Sequence, residues 1–177
     1  MNTTIESNAP LAAAAANESS SSSKKLLSIL AGTSIRNANL ADLGLRLGLA
    51  TVLFPHGAQK LLGWFGGYGF SGTMGFLTGT MNLPWIVAFS VILVEFFAPV
   101  LLVLGLFTRT AAIAIGAVMT GAMLMVHAQN GFFMNWFGNQ AGEGIEYFLL
   151  ILGLVAGIAI NGAGKWALDA KLFSAKS

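Results

Sequence analysis

Six ionisable residues stand in otherwise apolar stretches of this chain: Arg46, His56, Lys60, Glu95, His127 and Glu146. Charged groups in such surroundings are costly unless they are paired or form a site. A histidine, or a lysine beside a glutamate, offers both a hydrogen-bond donor and a base, which is what proton exchange with a bound ligand requires. Helical phase tells which of them can meet. At about 100° per residue with Arg46 at zero, Asp42 and Lys60 fall near −40° and His56 near −80°. One helix therefore carries a narrow polar stripe, with the GxxxG pair Gly44 and Gly48 on its opposite face. Arg109, Gly116, Thr120 and His127 share a face of a later helix, and Glu146 shares one with Gly153 and Gly157. Small residues allow close helix approach in lipid, so these faces are expected to point inward.

The expected arrangement is a buried ion pair between Arg46 and Glu95, with His56, Lys60, His127 and Glu146 clustered above it as a candidate ligand or proton site. Two prolines fit the same column. Pro55 leaves the carbonyl of Thr51 without its helical donor, and Pro99 does the same to the carbonyl of Glu95. Plainer readings stay open. Arg46 can snorkel to the interface or pair with Asp42, Lys60 can reach the headgroups, and Glu95 can be a carboxyl that only locks the helices together. The histidines can simply bond across helices. Glu143 and Arg109 read as interface residues, and the GxxxG pairs as internal packing.

The elements that position these groups follow from composition. Of 177 residues, 55% are hydrophobic and 9% are charged, against roughly 25% charged in soluble domains. Between Leu61 and Val94 there is no Asp, Glu, Lys, Arg or His, and that run exceeds the roughly 20 residues that cross a bilayer. An ordinary soluble enzyme and a nucleic-acid binder are excluded. With no cysteine, so are disulfides, iron–sulfur clusters and c-type haem. A haem held by His56 and His127 is the one metal site that remains to be weighed; otherwise none is expected.

The pattern predicts an all-α, polytopic membrane protein with four transmembrane helices, at about 40–62, 83–106, 110–128 and 144–161. Residues 1–39, with their Ala and Ser runs, read as a disordered low-complexity tail lacking a signal-peptide h-region. The membrane domain covers 40–164, and 165–177 is a short basic tail. Two aromatic loops, holding Trp64, Phe65 and Tyr68 and then Phe132, Phe133, Trp136 and Phe137, are placed at the headgroup level. Lys24, Lys25, Arg36, Arg109, Lys165, Lys171 and Lys176 all fall on one side of a four-span bundle. The positive-inside rule puts that side, and both termini, in the cytoplasm.

The run from Phe54 to Leu61 (FPHGAQKL) resembles the first span of the DoxX family of small four-helix membrane proteins. So do Val94-Glu95-Phe96-Phe97 leading to Leu104–Arg109, His127 with Asn130–Phe133, Gly144–Tyr147, and the closing stretch Gly162–Asp169. The resemblance covers about residues 40–172. It implies a four-helix bundle in the cytoplasmic (inner) membrane of a prokaryote and a link to quinone redox or oxidative stress, with a quinone as the ligand to test.

The leading functional expectation is an accessory membrane subunit of a quinone-linked redox system rather than a stand-alone enzyme. His56, Lys60, His127 and Glu146 would form its quinone or proton site, and a redox enzyme would be its partner alongside the lipid bilayer. The alternatives are a non-catalytic membrane anchor for a partner enzyme and a small proton-coupled transporter, which a homo-oligomer would enlarge. No nucleic-acid partner is expected.

Overall fold

The computed structural model describes residues 38–173, together with 21, 23–25, 27 and 28. The chain divides into two units, Met1–Ala38 and Asn39–Ser177. In the first, the described residues are helical, and the Ser28 hydroxyl donates to the Lys25 carbonyl at 2.8 Å. The expectation of a disordered tail falls mostly on residues outside those described, as do the last four residues of the basic tail.

The second unit is helical throughout its regular structure. Helix α1 spans Ala38–Leu62. Helix α2, Gly69–Gly75, continues as a π turn, Phe76–Thr80. Helix α3 is Trp85–Leu104. Helix α4 runs from Thr108 to Asn130, opening into a π turn at Met123–His127 and tightening into a 3₁₀ turn at Ala128–Asn130. Helix α5 is Glu146–Asn161, and the short α6 is Leu168–Phe173. Among the described residues, two helices are long and apolar enough to cross a membrane, Trp85–Leu104 and Thr108–Asn130; α5 is apolar but shorter.

The core is a seam of branched side chains from four helices. Leu49 and Leu53 of α1 meet Leu102 of α3, Ala112 and Ile115 of α4, and Ile151 and Ile158 of α5. On α5 the buried stripe is Phe148, Ile151, Val155 and Ile158, spaced at the three- and four-residue steps of one helical face. The α3–α4 turn is tight. Gly105 adopts φ 66° and Phe107 φ 49°, a left-handed region that costs glycine little. Asp169 then closes the turn from a distance. Its carboxylate accepts the N–H groups of Phe107 and Thr108 at 2.7 and 2.9 Å, donors that a helix start leaves unpaired. Its own N–H donates to the Gly105 carbonyl at 2.9 Å. The C-terminal stretch is thus a clasp on the helix ends, reinforced where the Lys165 N–H meets the Asn39 side-chain oxygen at 3.0 Å.

Close backbone approach occurs at a glycine outside the GxxxG pairs. A methyl group on Gly57 would collide with the carbonyl of Glu95 and the Cα of Phe96. This is the same carbonyl that Pro99 deprives of its helical donor. Gly44 and Gly48 have nothing within 4 Å of such a methyl, and neither has Gly153. The reading of the GxxxG pairs as internal packing is therefore corrected for these three. A methyl group on Gly157 would meet only Leu45, at an ordinary contact distance of 3.7 Å. Large branched residues, more than small ones, fill the seam.

Gly57→Ala is expected to destabilise the detergent-solubilised chain by about 1–3 kcal/mol through overpacking. Gly44→Ala is expected to leave it unchanged or slightly stabler, since alanine is the better helix former by roughly 1 kcal/mol. Thermal unfolding followed by circular dichroism checks both; equal effects would contradict the packing described.

Candidate functional site

Packing Gly57 against Glu95 fixes the height of α1 on α3, and the polar contacts follow from it. Lys60 lies less than one turn from Gly57, so its ammonium pairs with the Glu95 carboxylate. Glu95 is 5% exposed, while about a third of the Lys60 side chain is accessible. Arg46 lies 11 residues the other way, roughly 16 Å down the helix. The expected Arg46–Glu95 pair therefore does not form. Arg46, fully buried, instead donates to the carbonyls of Leu102 and Trp166, each at 2.9 Å. The expectation set Arg46 level with Glu95. The structure sets Gly57 there instead, which exchanges one cation for the other.

Above the seam lies a cavity of about 780 Å³, within the usual range for small-molecule sites. Its walls are mostly aliphatic, among them Leu53, Val91, Val94, Val118 and Val126. Seven polar residues border it: His56 and Lys60 from α1, Ser90 and Glu95 from α3, His127 from α4, Glu143 from the loop before α5, and Tyr147 from the first turn of α5. Both π turns contribute lining, Phe76 and Leu77 from one and Met125, Val126 and His127 from the other. An extra residue in a helical turn re-aims the side chains that follow it, and such turns recur at functional sites.

The expected cluster is thus realised for three of its four members. His56, Lys60 and His127 share the cavity, and Glu146 does not line it. The Glu146 carboxylate instead accepts the N–H of Met134 at 3.1 Å, holding the loop before α5. The reason is phase. Relative to Phe148, Glu146 lies about 160° around α5, together with Gly153 and Gly157, on the face away from the buried stripe. Reading small residues as the inner face put this carboxylate on the wrong side.

Sequence reasoning missed Tyr147 and assigned Glu143 to the interface. Tyr147 is the next residue along from Glu146 and about 100° nearer the core. Its hydroxyl is buried with no hydrogen-bond partner among the described residues, and the Glu95 carboxylate acts on it electrostatically. Glu143 lies in the loop before α5, outside any helix, so helical periodicity carried no signal for it.

His127 is held on two sides. Its Nδ1 lies 2.9 Å from the Glu143 carbonyl, and its ring rests on Phe148 with centroids 4.4 Å apart. A carbonyl can only accept, so Nδ1 donates and Nε2 is left with its lone pair in the neutral ring. Asn130 donates to the same carbonyl at 3.1 Å. No three His, Asp or Glu side chains among the described residues are grouped to hold a metal ion. The chemical content of the site is a lysine–glutamate pair, an unpaired phenol and an imidazole base around an apolar hollow.

A comparison with curated proteins finds no match, and neither does a comparison with solved structures. The DoxX family model matches residues 41–128, which hold α1 to α3, most of α4 and both partners of the Lys60–Glu95 pair. With its apolar membrane-length helices, the chain is a membrane protein that belongs to the DoxX family.

Proposed function

We propose that this chain is an accessory subunit of a quinone-linked redox or oxidative-stress system, and that the cavity holds the quinone head group. The observation that carries the reading is the Lys60–Glu95 pair set in the wall of an aliphatic hollow of about 780 Å³. A ring with an apolar body and polar edges suits such a hollow. The ammonium offers a donor to a quinone carbonyl, and the carboxylate a base to a quinol hydroxyl. The chain itself supplies no cysteine for a metal cluster, so electrons would come from a partner enzyme.

The same reading takes α1, α3, α4 and α5 as four spans in the cytoplasmic membrane of a prokaryote, with both termini inside. In α1 the charges that lower its hydropathy are partnered, Lys60 by the Glu95 carboxylate and Arg46 by hydrogen bonds to two carbonyls. Its 25 residues would extend roughly 38 Å, enough to cross the hydrocarbon core. The 16-residue α5 reaches roughly 24 Å, and the loop bonded to its start extends it at the outer end. Trp136 and Phe137, 79% and 90% exposed, suit the headgroup layer there.

The absence of cysteine makes topology directly testable with single-cysteine reporters. In intact cells an impermeant maleimide should label Gln140→Cys and should label Lys165→Cys only after permeabilisation. The opposite pattern would invert the orientation, and labelling of both would exclude an odd number of spans between them, and with it α5 as a span.

For the ligand, menadione titrated into the purified chain should quench tryptophan fluorescence saturably. Lys60→Met should weaken that binding about tenfold, the effect of losing one hydrogen bond from a charged donor. The double variant Lys60→Met, Glu95→Gln guards against a fold defect from a lone buried carboxylate. Unchanged affinity in both variants would remove the ion pair from the site.

A further inference from the structure

His127 belongs to two hollows at once. Besides the apolar cavity, it lines a second, polar cleft of about 550 Å³ formed with Gln129, Asn130, Ala141, Gly142 and Glu143. Only Val126, His127 and Glu143 are common to both. Val126 cannot carry a proton. The Glu143 carboxylate is engaged by the Asn135 N–H at 2.6 Å, while its carbonyl holds the His127 ring. Of the shared residues, His127 is the one whose ring is anchored between the two hollows, by the Glu143 carbonyl and Phe148, with Nε2 outside those contacts. The Glu143 carboxylate is tied to the loop through Oε2. The cleft is built from exposed or half-exposed loop and helix-end residues, as a water-filled mouth would be.

We propose that His127 is the proton port of the cavity, passing protons between a hydroxyl-bearing ligand inside it and water in the polar cleft. The proposal rests on the cavity holding a quinol-type ligand. The ligand hydroxyl gives its proton to Nε2, forming the imidazolium, while the Nδ1–H bond to the Glu143 carbonyl stays in place. The Nε2 proton then leaves to cleft water, restoring the starting ring, so no atom of the protein is consumed. Phe148 beneath the ring and the carbonyl beside it keep the imidazole at the boundary through both states. The other titratable groups bordering the cavity are His56 and Lys60 from α1, Glu95 from α3, and Glu143 and Tyr147 from the α5 side. Lys60 and Glu95 neutralise each other, and His56 and Tyr147 border the apolar cavity but not the cleft. Glu143 is tied to the loop through its carboxylate, so the proton is routed through the His127 ring, which borders both hollows.

The chain has two histidines, which fall on separate tryptic peptides, so diethylpyrocarbonate, which reacts with the unprotonated imidazole ring, can be followed at His127 in the unaltered full chain. There His127 should be carbethoxylated from water. Saturating menadiol, held reduced under anaerobic conditions, should slow the reaction at least tenfold, because the ligand hydroxyl then occupies Nε2. Peptide mass analysis identifies the modified ring, and tryptophan quenching reports menadiol binding independently. Quenching with an unchanged carbethoxylation rate would overturn the port while leaving the ligand site standing. Failure of His127 to react at all would place it away from water and also overturn the port. Absence of any quenching would overturn the quinone reading itself, and the port with it.

Discussion

The contact of Gly57 with the backbone of Glu95 is the constraint on which the rest of the site depends. It occurs where Pro99 has removed the helical donor to the Glu95 carbonyl and where α1 lacks a side chain. A bare backbone position meets a freed acceptor, and the two helices come closer there than side chains would allow. Once that height is set, each charge on α1 has a partner dictated by distance along the helix. Lys60 reaches Glu95, and Arg46 reaches the end of α3 and the C-terminal clasp.

The two cations of α1 are held in different ways. Arg46 spreads its charge over two carbonyls from distant segments, tying α3 and the Trp166 stretch to α1. A planar guanidinium suits this task because its donors are fixed in direction. Lys60 meets one carboxylate at the edge of a cavity and stays partly accessible. An ammonium in that position keeps donors in reserve for a ligand. The same chemical cost of charge in lipid thus yields a rivet at one end and a cavity-edge ion pair at the other.

Around the cavity, irregular helix geometry supplies what regular helices do not. The π turns at Phe76–Thr80 and Met123–His127 both border it. The loop ahead of α5 is knitted by Glu143, Glu146 and Asn135 to backbone groups, so the residues facing His127 are held by a loop with its own hydrogen bonds.

Composition alone determined the helical class and the membrane setting, because a long apolar run without charge has few other stable destinations. The motifs around His56, Glu95 and His127 pointed to the family, and His56, Lys60 and His127, which line one cavity, stood out because ionisable groups are rare in such sequence. The partner of Glu95, the exclusion of Glu146 and the inclusion of Glu143 and Tyr147 were decided only in three dimensions. Periodicity fixes the angle of a residue about its own helix, but it carries no information on how far one helix slides along another. It also cannot say whether small or large residues form the buried face. Those choices come from close packing between segments far apart in the chain, and here a single glycine against a proline-freed carbonyl made the first of them.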